Sequence, residues 1–176
     1  MNNRINYITK IGIFTALALI MYFIEGMFPP VLPLIPYAKI GLSNVVSFLA
    51  LILLGFNGGF AVVVLKCLLG SLFAGNIFAL AFSLSGGITS YLTMFLLYKY
   101  AYKHISIIGI SIVGALVHNI TQVIVASIMI KNAFTIIILP YMLAFSLVAG
   151  VITGLTVYYL VKNLPIEKFE NSLYTK

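Results

Sequence analysis

The chain predicts an all-α integral membrane protein, and three observations predict it. Only 7% of its residues are charged and 62% are hydrophobic. Apolar stretches long enough to cross about 30 Å of hydrocarbon recur along the whole length. Those stretches are continuous and rich in small residues, which suits helices that satisfy their own backbone and not the alternating strands of a barrel. No soluble domain, low-complexity tract or clear internal repeat interrupts them, so the chain reads as one membrane domain over 1–176.

Six spanning helices are expected. The first, over 11–28, follows Arg4 and Lys10 as a secretory leader would, but no small-x-small cleavage site comes after it and further apolar segments do, so it reads as a span. The second and third, over 40–54 and 58–73, are short and are joined by the turn Gly55-Phe56-Asn57-Gly58-Gly59. The fourth, over 77–98, follows Ala74-Gly75-Asn76. The fifth and sixth, over 105–130 and 134–161, are long enough to tilt. Between the first two lies a loop over 29–39 carrying Pro29, Pro30, Pro33 and Pro36, too proline-rich for helix and too apolar for an ordinary exposed loop. It is expected to fold back over the outer face of the bundle.

Charge sets the expected orientation. With the N-terminus inside, Arg4, Lys10, Lys99, Lys103, Lys162, Lys168 and Lys176 are cytoplasmic, and only Lys39 and Lys131 lie in outer loops. Both termini, including a tail over 162–176, are therefore expected in the cytoplasm of a cell whose cytoplasmic membrane the chain crosses. The same distribution explains the net charge of +7 without nucleic acid, since the chain contains no basic run.

Small residues recur at helical spacing. Ser146, Gly150 and Gly154 form such a row on the sixth helix, and Ser83/Gly87 and Gly86/Ser90 form others on the fourth. These rows let helices approach closely. Gly12 and Ala16 make a weaker row near the cytoplasmic end of the first helix.

Against this background Lys66 stands out, because it lies within an otherwise apolar stretch. A charge at bilayer depth costs about 2.5–3.5 kcal/mol on insertion scales, so such a residue usually faces a cavity or a partner. The other titratable groups at membrane depth are Glu25 and His118, with Lys39 at the outer rim. Glu25 and Lys66 either neutralise each other or share a ligand. On the fifth helix His118 and Gln122 lie within about 40° of each other and Asn119 about 100° round, on a face of small residues. Asn119 and Gln122 are either hydrogen-bond glue between helices or part of a site. Cys67, the only cysteine, excludes a disulfide framework and reads as a small buried hydrophobe.

The missing motifs exclude much. No GxxxxGK[ST] loop supplies an ATP motor, and neither HExxH nor CxxC is present. The chain has no aspartate, and Glu167 and Glu170 fall in the tail, so no paired-carboxylate or Mg-diphosphate site is available. The chain is not expected to be an enzyme, and it calls for no metal and no cofactor.

The segments Ile24-Glu25 with Pro29-Pro30, Lys39-Ile40-Gly41-Leu42-Ser43-Asn44, Lys66-Cys67-Leu68-Leu69-Gly70-Ser71-Leu72, Ser85-Gly86-Gly87, and Gly114-Ala115 with His118-Asn119 and Gln122 resemble the Gx transporter family, also named heptaprenyl diphosphate synthase component I. The resemblance runs in register from about Gly12 to Val161. Many relatives carry arginine at the position of Lys66 and alanine at that of Ser43; lysine keeps the charge but loses the bidentate fork. In size and six-helix plan the family in turn looks similar to the substrate-binding S components of energy-coupling factor transporters. That likeness implies a six-helix S-component-like bundle binding a small molecule near the outer surface beneath the loop over 29–39. It also implies a separate transmembrane coupling protein and ATPases, with Gly12 and Ala16 where such a partner helix would dock.

The expected function is thus a membrane-embedded substrate-binding subunit of a small-molecule transporter. The candidate site is Glu25, Lys39, Asn44, Lys66, His118, Asn119 and Gln122, and the ligand expected is an anionic or amphipathic metabolite. The alternative is a non-catalytic membrane component associated with polyprenyl diphosphate or quinone synthesis, or with a respiratory redox assembly.

Overall fold

A computed structural model describes residues 2–27, 42–75, 77–131 and 133–163. Lys39, the proline-rich loop and the tail from 164 onward lie outside the described residues.

Among the described residues there are five α-helices: α1 Asn2–Met27, α2 Asn44–Ala74, α3 Ile77–Ala101, α4 Ile107–Ile130 and α5 Leu139–Asn163. A 3-10 segment, Ala133–Ile138, leads into α5. Among the described residues, five helices are long and apolar enough to cross a membrane. The count differs from the six expected because the second and third expected spans fall within α2, which is interrupted only at Gly55. Gly55 has φ 75° and ψ −175°, a backbone that favours glycine because a Cβ would be strained there.

The interruption is a reversal. Lys66 Nζ lies 2.8 Å from Ser47 Oγ, whereas a straight helix would hold those residues about 28 Å apart at 1.5 Å per residue. A Cβ placed on Gly59 would come within 3.0 Å of the backbone nitrogen of Leu51, so the two arms of α2 touch close to the bend. Two tyrosines fasten it. The Tyr7 hydroxyl of α1 donates to the Leu54 carbonyl at 3.2 Å, and the Tyr91 hydroxyl of α3 donates to the Phe56 carbonyl at 2.7 Å.

These contacts sort the bundle into two ends. The start of α1, the Gly55 bend, the α3–α4 turn and the end of α5 lie at one end, since Tyr7 meets Leu54, Tyr91 meets Phe56 and Gly154 faces Ile108. The opposite end gathers the end of α1 and the start of α2. Lys10, Lys99, Lys103 and Lys162 belong to the first end or the turns near it, and Lys131 to the second.

Small residues set the helix contacts. A Cβ on Gly150 would fall 2.5 Å from Ile112 Cα, and one on Gly154 would fall 2.6 Å from Ile108 Cα, so the expected row on α5 seats the backbone of α4. On α3, Gly87 faces Cys67 Sγ at 3.2 Å from its would-be Cβ. Between these contacts sit Phe48, Leu51, Val63, Tyr91, Met94 and Ile110, all buried.

α1 is different. It packs mainly against α2, and its buried residues, Thr15, Ala18, Tyr22 and Glu25, are spaced three, four and three apart and so form one stripe. Gly12 and Ala16 are exposed, and nothing lies within 4 Å of a Cβ placed on Gly12.

Candidate functional site

The site is built where the inward stripe of α1 meets the reversal of α2. Folding α2 back at Gly55 carries Lys66, on its long second arm, against the start of its first arm. The ammonium there meets three neutral oxygens: Ser43 Oγ at 3.0 Å, Asn44 Oδ1 at 3.2 Å and Ser47 Oγ at 2.8 Å. All four residues are buried, Lys66 to 2% exposure. Positions 43 and 44 lie four and three residues before 47, the spacings that bring side chains onto one face, so one turn presents the whole oxygen set.

Lys66 and Ser43 then line a cavity with Tyr22 and Glu25 of α1, Cys67 of α2, Ser83 and Gly87 of α3, and His118 and Gln122 of α4. Glu25 is brought in by the α1 stripe, one turn beyond Tyr22, whose hydroxyl lies 3.5 Å from Ser83 Oγ. Close approach of α1 depends on Gly70, where a Cβ would fall 2.9 Å from the Tyr22 ring. On the far wall Gln122 Nε2 and His118 Nε2 are 3.0 Å apart, as their four-residue spacing allows. Gly86 makes room for that imidazole, since its Cβ would stand 2.9 Å from His118 Nδ1.

The space enclosed is tight. It leaves about 10 Å³ for the centre of a water-sized sphere, the scale of a single water molecule. A ligand larger than a water needs more room than this cavity offers. A second hollow of about 440 Å³ lies at the other end between the α3–α4 turn and Tyr158. It carries Lys103 and His104, both exposed, and none of the buried polar cluster lines it.

The sequence candidates thus separate. Glu25, Lys66, His118 and Gln122 converge on the cavity, and Asn44 joins them through Lys66. Asn119 does not: its Nδ2 donates to Ser146 Oγ at 2.6 Å and to the Met142 carbonyl at 3.4 Å, fastening α4 to α5. Lys39 lies outside the described residues. Sequence reasoning missed Tyr22, Ser43, Ser47 and Ser83. The signal for the serines was a polar Ser43-Asn44-Ser47 turn opening an apolar helix, and for Tyr22 its place three residues before Glu25. Among the described residues no group of three His, Cys, Asp or Glu is placed to hold a metal.

Fold and site together define a polytopic helical membrane protein with a charged, buried cavity among its helices. The chain belongs to the family described as heptaprenyl diphosphate synthase component I, whose model matches residues 14–160. Its fold is S-component-like: it is similar to a solved structure of the S component of a bacterial ECF transporter, with 25% identity and a TM-score of 0.64, over 92% of this chain and 95% of that one. No curated protein matches the sequence.

Proposed function

We propose that the chain is the substrate-binding subunit of a small-molecule transporter, with the Glu25–Lys66 cavity as its binding site and an anionic or amphipathic metabolite as its ligand. The observation that carries this reading is a buried ammonium and a buried carboxylate lining one cavity in an S-component-like fold. Ionisable residues at membrane depth usually mark a solute pathway, because their desolvation is offset only by partners or a ligand. In this reading Lys66 and Glu25 orient the polar head, while Tyr22 closes the cavity from the α1 side. The two arms of α2 each count as a crossing, giving six with both termini in the cytoplasm. The concentration of lysines at the end holding the start of α1 supports that orientation.

The chain carries no nucleotide-binding loop of its own. A transmembrane coupling protein and ATPases acting in trans would supply the energy, docking on the open side of α1 at Gly12 and Ala16. The family description favours a second reading, a non-enzymatic membrane component working beside a polyprenyl diphosphate synthase.

Affinity purification of the tagged chain from its native membranes separates the two. The transport reading expects a polytopic membrane protein and ATPase subunits to co-purify, and expects Gly12→Leu with Ala16→Leu to abolish that association without unfolding the chain. Capture of an Asp-rich prenyl synthase in place of ATPases would favour the second reading.

A further inference from the structure

We infer that the hollow between the α3–α4 turn and Tyr158 seats the headgroup of an anionic phospholipid, with Lys103 as the partner of its phosphate and a stripe of α5 as the track for its chain. The site is separate from the Glu25–Lys66 cavity and does not depend on what that cavity holds. α3 and α5 each run 25 residues. That is roughly 37 Å at 1.5 Å per residue, more than the ~30 Å of hydrocarbon to be crossed, so the helix ends reach the headgroup layer.

The hollow measures about 440 Å³, within the range of small-molecule sites, and it is amphipathic. Tyr102, Lys103 and His104 line it from the turn and are exposed, and Ile107 and Ile108 line it from the first turn of α4, buried and half-buried. Tyr158 lines it from α5, where it belongs to a stripe. Val151, Leu155 and Tyr158 are exposed and spaced four and three apart, and Lys162, also exposed, follows four residues on. The stripe runs from the apolar middle of the helix to a lysine at its end, the order in which a phospholipid presents chain, glycerol and phosphate. The rings of Tyr98 and Tyr102 lie 5.0 Å apart and those of Tyr158 and Tyr159 meet edge-on at 5.6 Å. Such aromatics gather where a membrane meets water.

Charge selects the lipid. Lys99, Lys103 and Lys162 belong to this end, and the one carboxylate among the described residues, Glu25, lies at the other. Lys99 Nζ is held over the rings of Phe95 and Tyr100, 5.7 and 5.3 Å from their centroids, so Lys103 is the ammonium in the lining. A zwitterionic headgroup brings its own ammonium, which would meet lysines and no described carboxylate. A phosphatidylglycerol headgroup brings one negative charge and two hydroxyls. Lysine takes the phosphate as a point charge, and the imidazole of His104 and the hydroxyl of Tyr102 can hydrogen-bond the rest. Basic pockets between helices at the membrane surface are a known form of anionic-headgroup recognition.

The chain has no tryptophan, so Tyr159→Trp, beside the hollow but outside its lining, provides a single reporter. The full chain carrying it is reconstituted in phosphatidylcholine vesicles containing a rising fraction of brominated phosphatidylglycerol or brominated phosphatidylcholine. Half-quenching of the indole should need about fivefold less of the phosphatidylglycerol, the factor that one lysine supplies at a membrane surface. Lys103→Gln should erase the difference and Lys131→Gln, at the other end, should keep it. Millimolar inorganic phosphate should leave the quenching unchanged, since the chain anchors the lipid. Native mass spectrometry of the unsubstituted protein, which needs no variant, should show phosphatidylglycerol retained in preference to phosphatidylethanolamine. A difference under twofold between the brominated lipids, a preference that survives Lys103→Gln or is lost in Lys131→Gln, or preferential retention of phosphatidylethanolamine would each overturn the assignment. So would displacement by inorganic phosphate, which would make the hollow a site for a free anion.

Discussion

Lys66 and Asn119 are both polar residues buried at membrane depth, yet they end in opposite situations. Asn119 spends its amide hydrogens on Ser146 and Met142 across the α4–α5 contact, where Gly150 and Gly154 bring α5 onto the backbone of α4. Lys66 meets neutral oxygens of its own helix and lines a cavity with a carboxylate from another. The lesson is that burial alone does not mark a site in a membrane bundle. A polar residue whose donors end on the neighbouring helix is holding that helix, whereas, on the proposed reading, a charge that lines a cavity together with a carboxylate is kept for a ligand.

The largest expected effect tests the charged half of this contrast. Lys66→Met alone removes one of two buried charges and should cost about 3–5 kcal/mol of stability, as truncation of one member of a buried pair does. Adding Glu25→Gln should recover most of it, because replacing both charges together is often neutral. Thermal melts of both singles and the double would read this. A double variant no more stable than Lys66→Met would mean that the two charges do not share an environment.

A smaller effect tests the other half. Asn119→Leu removes the bonds to Ser146 and Met142 and should cost about 0.6 kcal/mol, with ~1.7 as the upper end for such contacts in membranes. Ligand retention should stay within about twofold of wild type, since 1.4 kcal/mol would be needed for a tenfold change. A melting temperature barely altered beside a lost ligand would move Asn119 back into the site.

Much of this contrast was legible in the sequence, and the parts that were not have physical causes. Composition gives the class, and the apolar runs give the helices, because a spanning segment must satisfy its own backbone. The helix ends are harder to read. α1 begins at Asn2 and not near residue 11, because hydropathy marks the hydrocarbon and a helix can continue beyond it. The bend was visible as Gly55-Phe56-Asn57-Gly58-Gly59, but only Gly55 leaves helical geometry; Gly58 and Gly59 are there for close contact with Tyr7, Tyr91 and the other arm. Position on the helix places His118 and Gln122 together and Asn119 about 100° away. What no periodicity gives is which neighbour occupies each direction. Asn119 thus entered the candidate set while Tyr22 and Ser43 did not, since their part in the cavity depends on where α1 and the folded α2 come to rest.

The central claim, that the cavity around Glu25 and Lys66 holds the solute, is tested most directly by native mass spectrometry of the purified protein beside the Glu25→Gln, Lys66→Met double variant. The account predicts a co-purifying small molecule on the wild-type chain and none on a double variant that melts normally. The same molecule, retained in the same amount by the well-folded double variant, would contradict it.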